Sequence, residues 1–218
     1  MSKIAVITGY GPGLGAALKQ RFEQEDYHVV PVSRSSAVAA DLTDSASAHH
    51  AFEQISEQHG CPDIVIHNVA ELIRGEFLSL SDSDFEQAWR STVLSAINVC
   101  QAVLPEMLNR QTGTIILTGA TASTRGGARF APFSSAKFAL RGLAQSLARE
   151  FQKQGIHIAH PILDGIIWSE LSQQRFPALK PESCLQPEAI ADIYYHLHTQ
   201  KSSAWTHELD IRPRSETF

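Results

Sequence analysis

The stretch VITGYGPGLGAAL, residues 6–18, runs from β-forming residues through four glycines into helix formers. Gly9, Gly13 and Gly15 therefore fall where a strand gives way to a helix. A Cβ there would block a tight turn and hold the backbone away from a pyrophosphate. Glycine lets free N–H groups at the helix start, where Leu14 stands, meet that charge. A plain turn is the alternative, but a strand before the glycines and an amphipathic helix after them favour dinucleotide binding.

Outward from this turn, short β-rich runs alternate with longer helical stretches. Strands are expected at KIAVIT, HVVPVS, AVAA, DIVIHN, GTIILTG, IHIAHPI and HELDI. Helices are expected near residues 13–25, 45–59, 82–110, 133–153 and 187–199. Ser81 or Ser83 caps the third of these, with acidic residues in the first turn where the helix dipole favours them. The alternation predicts an α/β fold in one domain, residues 1–218: a Rossmann-type, doubly wound parallel sheet of about seven strands flanked by helices. Residues 168–187, with three prolines among isolated apolar residues, read either as a mobile flap over a site or as a surface loop packing Phe176 and Leu179 on the core.

Composition narrows the partners. The chain is 43% hydrophobic and 19% charged with a net charge of −5, as in a folded soluble protein. No Lys/Arg run marks a nucleic-acid or anionic-membrane surface. The N-terminus turns glycine-rich too early for a signal peptide and no apolar run approaches 18 residues, so a soluble, cytoplasmic protein is expected. Cys61, Cys100 and Cys184 are too scattered for a disulfide framework and read as isolated thiols. Of ten histidines, His196 and His198 would diverge on a helix and His157 and His160 would lie on opposite faces of a strand, so no metal site is expected. No GxSxG elbow supports a hydrolase.

The spacing TGxxxGxG from Thr8 to Gly15, ADLTD at 40–44, HNVA at 67–70 and SSAKFALRGLAQSLARE at 134–150 together resemble the short-chain dehydrogenase/reductase family. A DG at 164–165 stands where that family usually has PG. The resemblance spans nearly the whole chain and implies a nicotinamide cofactor. Asp41 and Leu42 would meet the adenine, Asn68, Val69 and Ala70 the adenosine ribose, and Ile167 and Ser169 the carboxamide. At the end of the second strand an acid would bind the ribose 2′-OH of NAD, whereas an arginine pairs with the extra phosphate of NADP. PVSRSS supplies Arg34 with no nearby acid, which favours NADP(H) over NAD(H); a solvated surface arginine is the alternative. The segment from Arg34 to Asp41 leaves no room for a helix.

In that family a tyrosine moves the proton, a lysine four residues on lowers the phenol's pKa, a serine polarises the carbonyl and an asparagine holds a water. Carried over, these positions are Phe133, Lys137, Ala120 and Thr92. Phe133 and Ala120 cannot donate from their side chains, and no tyrosine precedes any lysine by four residues. Lys137 keeps a use in holding ribose hydroxyls. Thr118, Thr121, Ser123, Ser134 and above all Asp164 are substitute acids, although a strand-end carboxylate more often caps a turn. Arg74, Arg125 and Arg129 lie in loops facing the crevice, where they suit either an anionic substrate or plain solvation.

Two functions follow. One is an oxidoreductase on a small carbonyl, alcohol or activated alkene with a rebuilt proton path. The other is a cofactor-binding protein without turnover, a redox sensor or partner subunit. A homodimer or homotetramer is expected through the helices near 82–110 and 133–153, with Ala139, Gly142, Ala144 and Ala148 allowing close packing.

Overall fold

The computed structural model describes residues 2–216. Seven strands form one sheet: β1 (Ile4–Thr8), β2 (His28–Ser33), β3 (Val38–Ala39), β4 (Ile64–His67), β5 (Gly113–Leu117), β6 (Ile156–Leu163) and β7 (Glu208–Ile211). Their order is β3-β2-β1-β4-β5-β6-β7, and every pairing is parallel. All seven expected strands are present, and the doubly wound α/β fold is as the alternation predicts. The chain leaves β1 toward β2 on one side and returns to add β4 on the other. A crevice therefore opens at the carboxyl ends of β1 and β4, where ligands of such sheets bind.

Both faces of the sheet are covered, which is why the strands read as continuous apolar runs. Ile4, Val6, Val65, Ile115 and Leu117 enter the core shared with α2 (Ser45–His59), α4 (Ser95–Arg110) and α5 (Ala131–Phe151). The alternate residues Ala5, Ile7, Ile64, Ile66 and Ile116 enter the core shared with α1 (Leu14–Glu23) and α7 (Pro187–Thr199). Period-two alternation thus serves two cores at once. Cys100 and Cys184 are buried and Cys61 is half-buried, all as free thiols.

The helix starts follow local chemistry. Asp44 caps α2 by accepting from the Ser47 amide at 2.7 Å. The Asp84 carboxylate accepts from the Ser81 amide at 2.8 Å and hydroxyl at 2.7 Å, fixing the start of α3 (Asp82–Trp89). Pro132 sits in the first turn of α5, where its missing N–H costs nothing, so that helix begins two residues before the expected 133. The single helix expected at 82–110 is α3 and α4 joined by a π-turn, Arg90–Leu94. This run is long and apolar enough to cross a membrane, but 56% of its apolar window is buried inside the protein. Ala144 and Ala148 are also spent on the core of their own chain, leaving Gly142 open on the outer face. The turn between β2 and β3 holds no helix, as its length requires.

Residues 168–187 carry regular structure that the sequence reading did not place. Ser169 caps a short helix, α6 (Glu170–Arg175), and Ile167 forms a parallel bridge with Leu185. Proline and isolated apolar residues hide this element from a periodicity reading, because six residues make less than two turns.

Gly9 has φ +70°, and a Cβ there would stand 2.8 Å from the Asn68 carbonyl at the end of β4. Gly9→Ala is expected to lower unfolding stability by about 2–3 kcal/mol. At Gly11 nothing lies within 4 Å, so Gly11→Ala is expected to leave stability nearly unchanged when both variants are compared with the wild type by urea titration.

Candidate active site

Two cavities meet over the carboxyl edge of the sheet and share Asn68 and Ala70 in their walls. The first, of about 780 Å³, is lined by Gly9, Arg34, Asp41, Leu42, Val69 and Arg90, among others. The second, of about 630 Å³, includes Ala120, Phe133, Lys137, Ile167 and Ser169. Most of the residues singled out from the sequence are thus brought to one continuous crevice.

At the glycine turn, α1 begins without a side-chain cap and without an acid in its first turn. Among the described residues no group accepts from the amides of Gly13, Leu14 or Gly15. These N–H groups and the helix dipole form an anion-binding end. Gly13 also lies close to the flap, since a Cβ there would be 3.5 Å from that of Ser169.

In the larger cavity Arg34 is exposed at the end of β2 with no acid beside it. The nearest carboxylate, Asp41, turns back on Thr43, accepting from its amide at 2.9 Å and hydroxyl at 2.8 Å. These bonds, with Arg34 and Arg90 nearby, hold the Asp41 pKa below its ordinary value. Leu42 is buried, and its carbonyl accepts from the Asn98 side chain at 2.9 Å.

The smaller cavity centres on Lys137, which is 3% exposed and donates to the Thr118 carbonyl at 2.8 Å. The Phe133 ring centroid lies 5.9 Å from the ammonium. Burial pushes the Lys137 pKa down to about 8. Beneath it, burial and the Lys137 charge lower His67 to about 3 and His160 to about 4. The neutral His67 donates from Nε2 to Ser95 Oγ (3.1 Å), whose own proton goes to the Ser91 carbonyl, and accepts at Nδ1 from Thr8 (2.8 Å). One charge is thus buried there and its basic neighbours stay neutral.

The expected substitute acids are sorted by their partners. Asp164 is not in the cavity wall: it accepts from Thr121 Oγ1 at 2.7 Å and lies 3.4 Å from Arg125 and 3.2 Å from Arg212. Two guanidiniums hold that carboxylate, which favours a carboxylate spent on its own strand end over a substitute acid. Thr121 is spent on Asp164, and Ser123 Oγ accepts from the Ala120 amide at 3.1 Å. Ser134 differs: it lines the cavity, is buried, and its hydroxyl has no partner. Thr92 lies in the π-turn, buried with its hydroxyl unpartnered, and does not line either cavity. Arg74 and Arg125 reach the smaller cavity, whereas Arg129 pairs with Glu76 outside it.

Some contributors escape a sequence reading. Tyr194 on α7 donates to Thr118 Oγ1 at 3.1 Å from the opposite face of the sheet, and burial raises its pKa. Phe130, Leu171, Arg175 and Phe176 also line the smaller cavity. Only proximity to a known motif in the chain could have flagged Phe130, and nothing local marks Tyr194.

The depressed Lys137 pKa fixes a pH dependence. Below pH 8 the folded chain buries a charge that the unfolded chain solvates, so the penalty is full there. Between about 8 and 10.5 the unfolded chain binds more protons, and stability rises with pH. The stability of Lys137→Met minus that of the wild type is expected to fall by about 3 kcal/mol across this window in paired urea titrations.

The chain is similar to known oxidoreductases. Oxidoreductase UcpA of Escherichia coli strain K12 is 28% identical over 209 residues, covering 86% of this chain and 77% of its own. The 3-oxoacyl-[acyl-carrier-protein] reductase MabA of Mycobacterium avium is 26% identical over 180 residues, covering 79% and 70% respectively. A short-chain dehydrogenase structure from Rhodopseudomonas palustris superposes with a TM-score of 0.83 at 29% identity, covering 97% of this chain and 98% of the other. The family model for short chain dehydrogenases matches residues 33–179, from the end of β2 into the flap. That match takes in Lys137 and the residues lining its cavity other than Glu216, and by it this chain belongs to the short-chain dehydrogenase family.

Proposed function

We propose that this chain binds NADP(H) along the crevice and is an oxidoreductase acting on a small carbonyl, alcohol or activated alkene. The observation that carries the reading is the continuity of the crevice from Gly9, at the glycine turn, to the buried ammonium of Lys137. The residues fit a nicotinamide dinucleotide. Gly9 leaves space that a Cβ would fill, the α1 amides suit a pyrophosphate, and Arg34 suits a 2′-phosphate. When bound, the nicotinamide supplies or accepts a hydride.

The protein's own part is to orient, exclude water and manage a proton. Lys137 presents its charge at the cavity floor to ribose hydroxyls. By the family resemblance Phe133 and Ala120 correspond to a proton-donating tyrosine and a polarising serine, and neither side chain can donate. Two protonatable groups of the wall keep donor capacity there: the Lys137 ammonium, beyond its bond to Thr118, and the unpartnered Ser134 hydroxyl. Loss of a general acid costs about two to four orders of magnitude in rate. A substrate that needs little protonation in its transition state suits such a site.

The paired loss of hydroxyls at 120 and 133 also favours a second reading, a cofactor-binding protein without turnover. Either way the chain is proposed to pair as a homodimer or homotetramer through α3, α4 and α5. Trp89 and Phe138 are 42% and 44% exposed there, beside the open Gly142.

Calorimetry is expected to show NADPH binding to the wild type, and absence of heat with either nicotinamide dinucleotide overturns both readings. The Ala120→Ser/Phe133→Tyr variant is expected to keep that affinity and reduce generic ketones at least ~100-fold faster than the wild type. A variant that stays silent with cofactor bound shows that the missing hydroxyls were not the obstacle. A carbonyl panel that never exceeds background in the wild type selects the second reading.

A further inference from the structure

The smaller cavity is apolar in its walls and of one sign at its mouth. Phe130, Phe133, Ile166, Leu171 and Phe176 supply the walls, while Arg74, Arg125 and Arg175 stand among them. Arg125 is committed to Asp164 and Glu216, at 3.4 and 3.7 Å. Arg74 and Arg175 have no carboxylate partner among the described residues. Glu216 is the one acid in the wall, and it already faces Arg125.

Arg74 is also placed. Its guanidinium carbon lies 5.9 Å from the centroid of the Phe130 ring and 5.7 Å from that of Phe176, the residue after Arg175. Three separate segments therefore converge: the loop after β4, the start of α5 and the end of α6. A guanidinium resting against aromatic rings loses part of its hydration and keeps its in-plane N–H groups for an acceptor. In a chain of net charge −5, an acid-poor cavity mouth with two cations lacking carboxylate partners selects for anions.

We propose that the substrate taken by this cavity carries an apolar body and a carboxylate, the carboxylate held by Arg74 and Arg175 and the body by Phe130, Phe133 and Phe176. This rests on the oxidoreductase reading, of which it names the substrate class. A planar carboxylate matches the guanidinium fork and accepts two parallel hydrogen bonds from it. The apolar body explains why the wall is built of rings rather than of further donors.

The test uses the full chain and two matched probes, 4-phenylbutanoate and its neutral amide, titrated calorimetrically first without and then with saturating NADP⁺. The acid is expected to bind at least ~10-fold tighter than the amide, as charge-assisted bonds to one or two guanidiniums imply. In Arg74→Met/Arg175→Met the two probes are expected to bind alike, with NADP⁺ affinity unchanged. Both positions are exposed, so this variant folds, and the Met side chains keep much of the apolar contact. Equal binding of the probes to the wild type, no detectable binding of the acid, or a preference that survives in the variant overturns the proposal. So does a variant that loses NADP⁺ instead, because these arginines would then serve the cofactor. A wild type that takes up no NADP⁺ defeats the oxidoreductase reading, and the probe pair without cofactor still decides the carboxylate preference.

Discussion

The structure turns on the close passage of the Gly9 backbone over the end of β4. Sheet order forces the chain to diverge on either side of β1, and the crevice this opens is only as deep as its neighbours allow. A Cβ at Gly9 would meet the Asn68 carbonyl at 2.8 Å, so the absence of a side chain permits the approach. Asn68 and Ala70 form the wall common to both cavities. One backbone contact therefore sets the spacing between the glycine turn and the chamber around Lys137, and the rest of the crevice is built outward from it.

Around Lys137 the electrostatics are those of a single buried cation. Its ammonium has a carbonyl partner, in Thr118, and no carboxylate partner among the described residues. His67 and His160 would compete for the proton, but burial and the Lys137 charge hold both neutral. Asp164, the carboxylate closest in sequence to this strand end, is drawn instead to Arg125 and Arg212. The chamber thus keeps its charge desolvated and available to whatever hydroxyl or carbonyl oxygen enters. With Phe133 and Ala120 in its wall the chamber is more apolar than hydroxyl side chains would make it, which increases the strength of any bond Lys137 forms there.

The fold was legible because the central strands β1, β4, β5 and β6 are buried on both faces, so that continuous runs such as IAVIT and GTIIL stand out from the amphipathic helices between them. The glycine turn was legible because its chemistry is local. What the sequence did not disclose is non-local or short. The π-turn at Arg90–Leu94 lies inside an uninterrupted helical pattern, and nothing in its composition separates it from α3 and α4. The partners of Asp164 come from 39 residues before it, in Arg125, and from Arg212 beyond β7, so its commitment depends on how β6 and β7 pair. Tyr194 reaches Thr118 from a helix 76 residues away on the other face of the sheet. Lys137 was marked by the family resemblance of its helix, but its burial and its neutral histidine neighbours needed coordinates.

The flap shows how these parts act as one unit. Ser169 and Ser172 cap each other, the Ser169 amide donating to Ser172 Oγ at 2.9 Å and the Ser172 amide to Ser169 Oγ at 3.1 Å. This fixes the start of α6 beside Gly13, where the glycine turn presents its amides. The far end of the same six-residue helix is Arg175, followed by Phe176 against the Arg74 guanidinium. A helix of that length is too short to bend, so the position of its first turn against Gly13 dictates where Arg175 and Phe176 stand at the cavity mouth. Anything that displaces Ser169 from the glycine turn must also move the aromatic ring on which Arg74 rests. The parallel bridge from Ile167 to Leu185 limits that displacement by tying the base of the flap to the segment that leads into α7. Cofactor turn and cavity mouth are therefore joined through one rigid element rather than through the sheet beneath them.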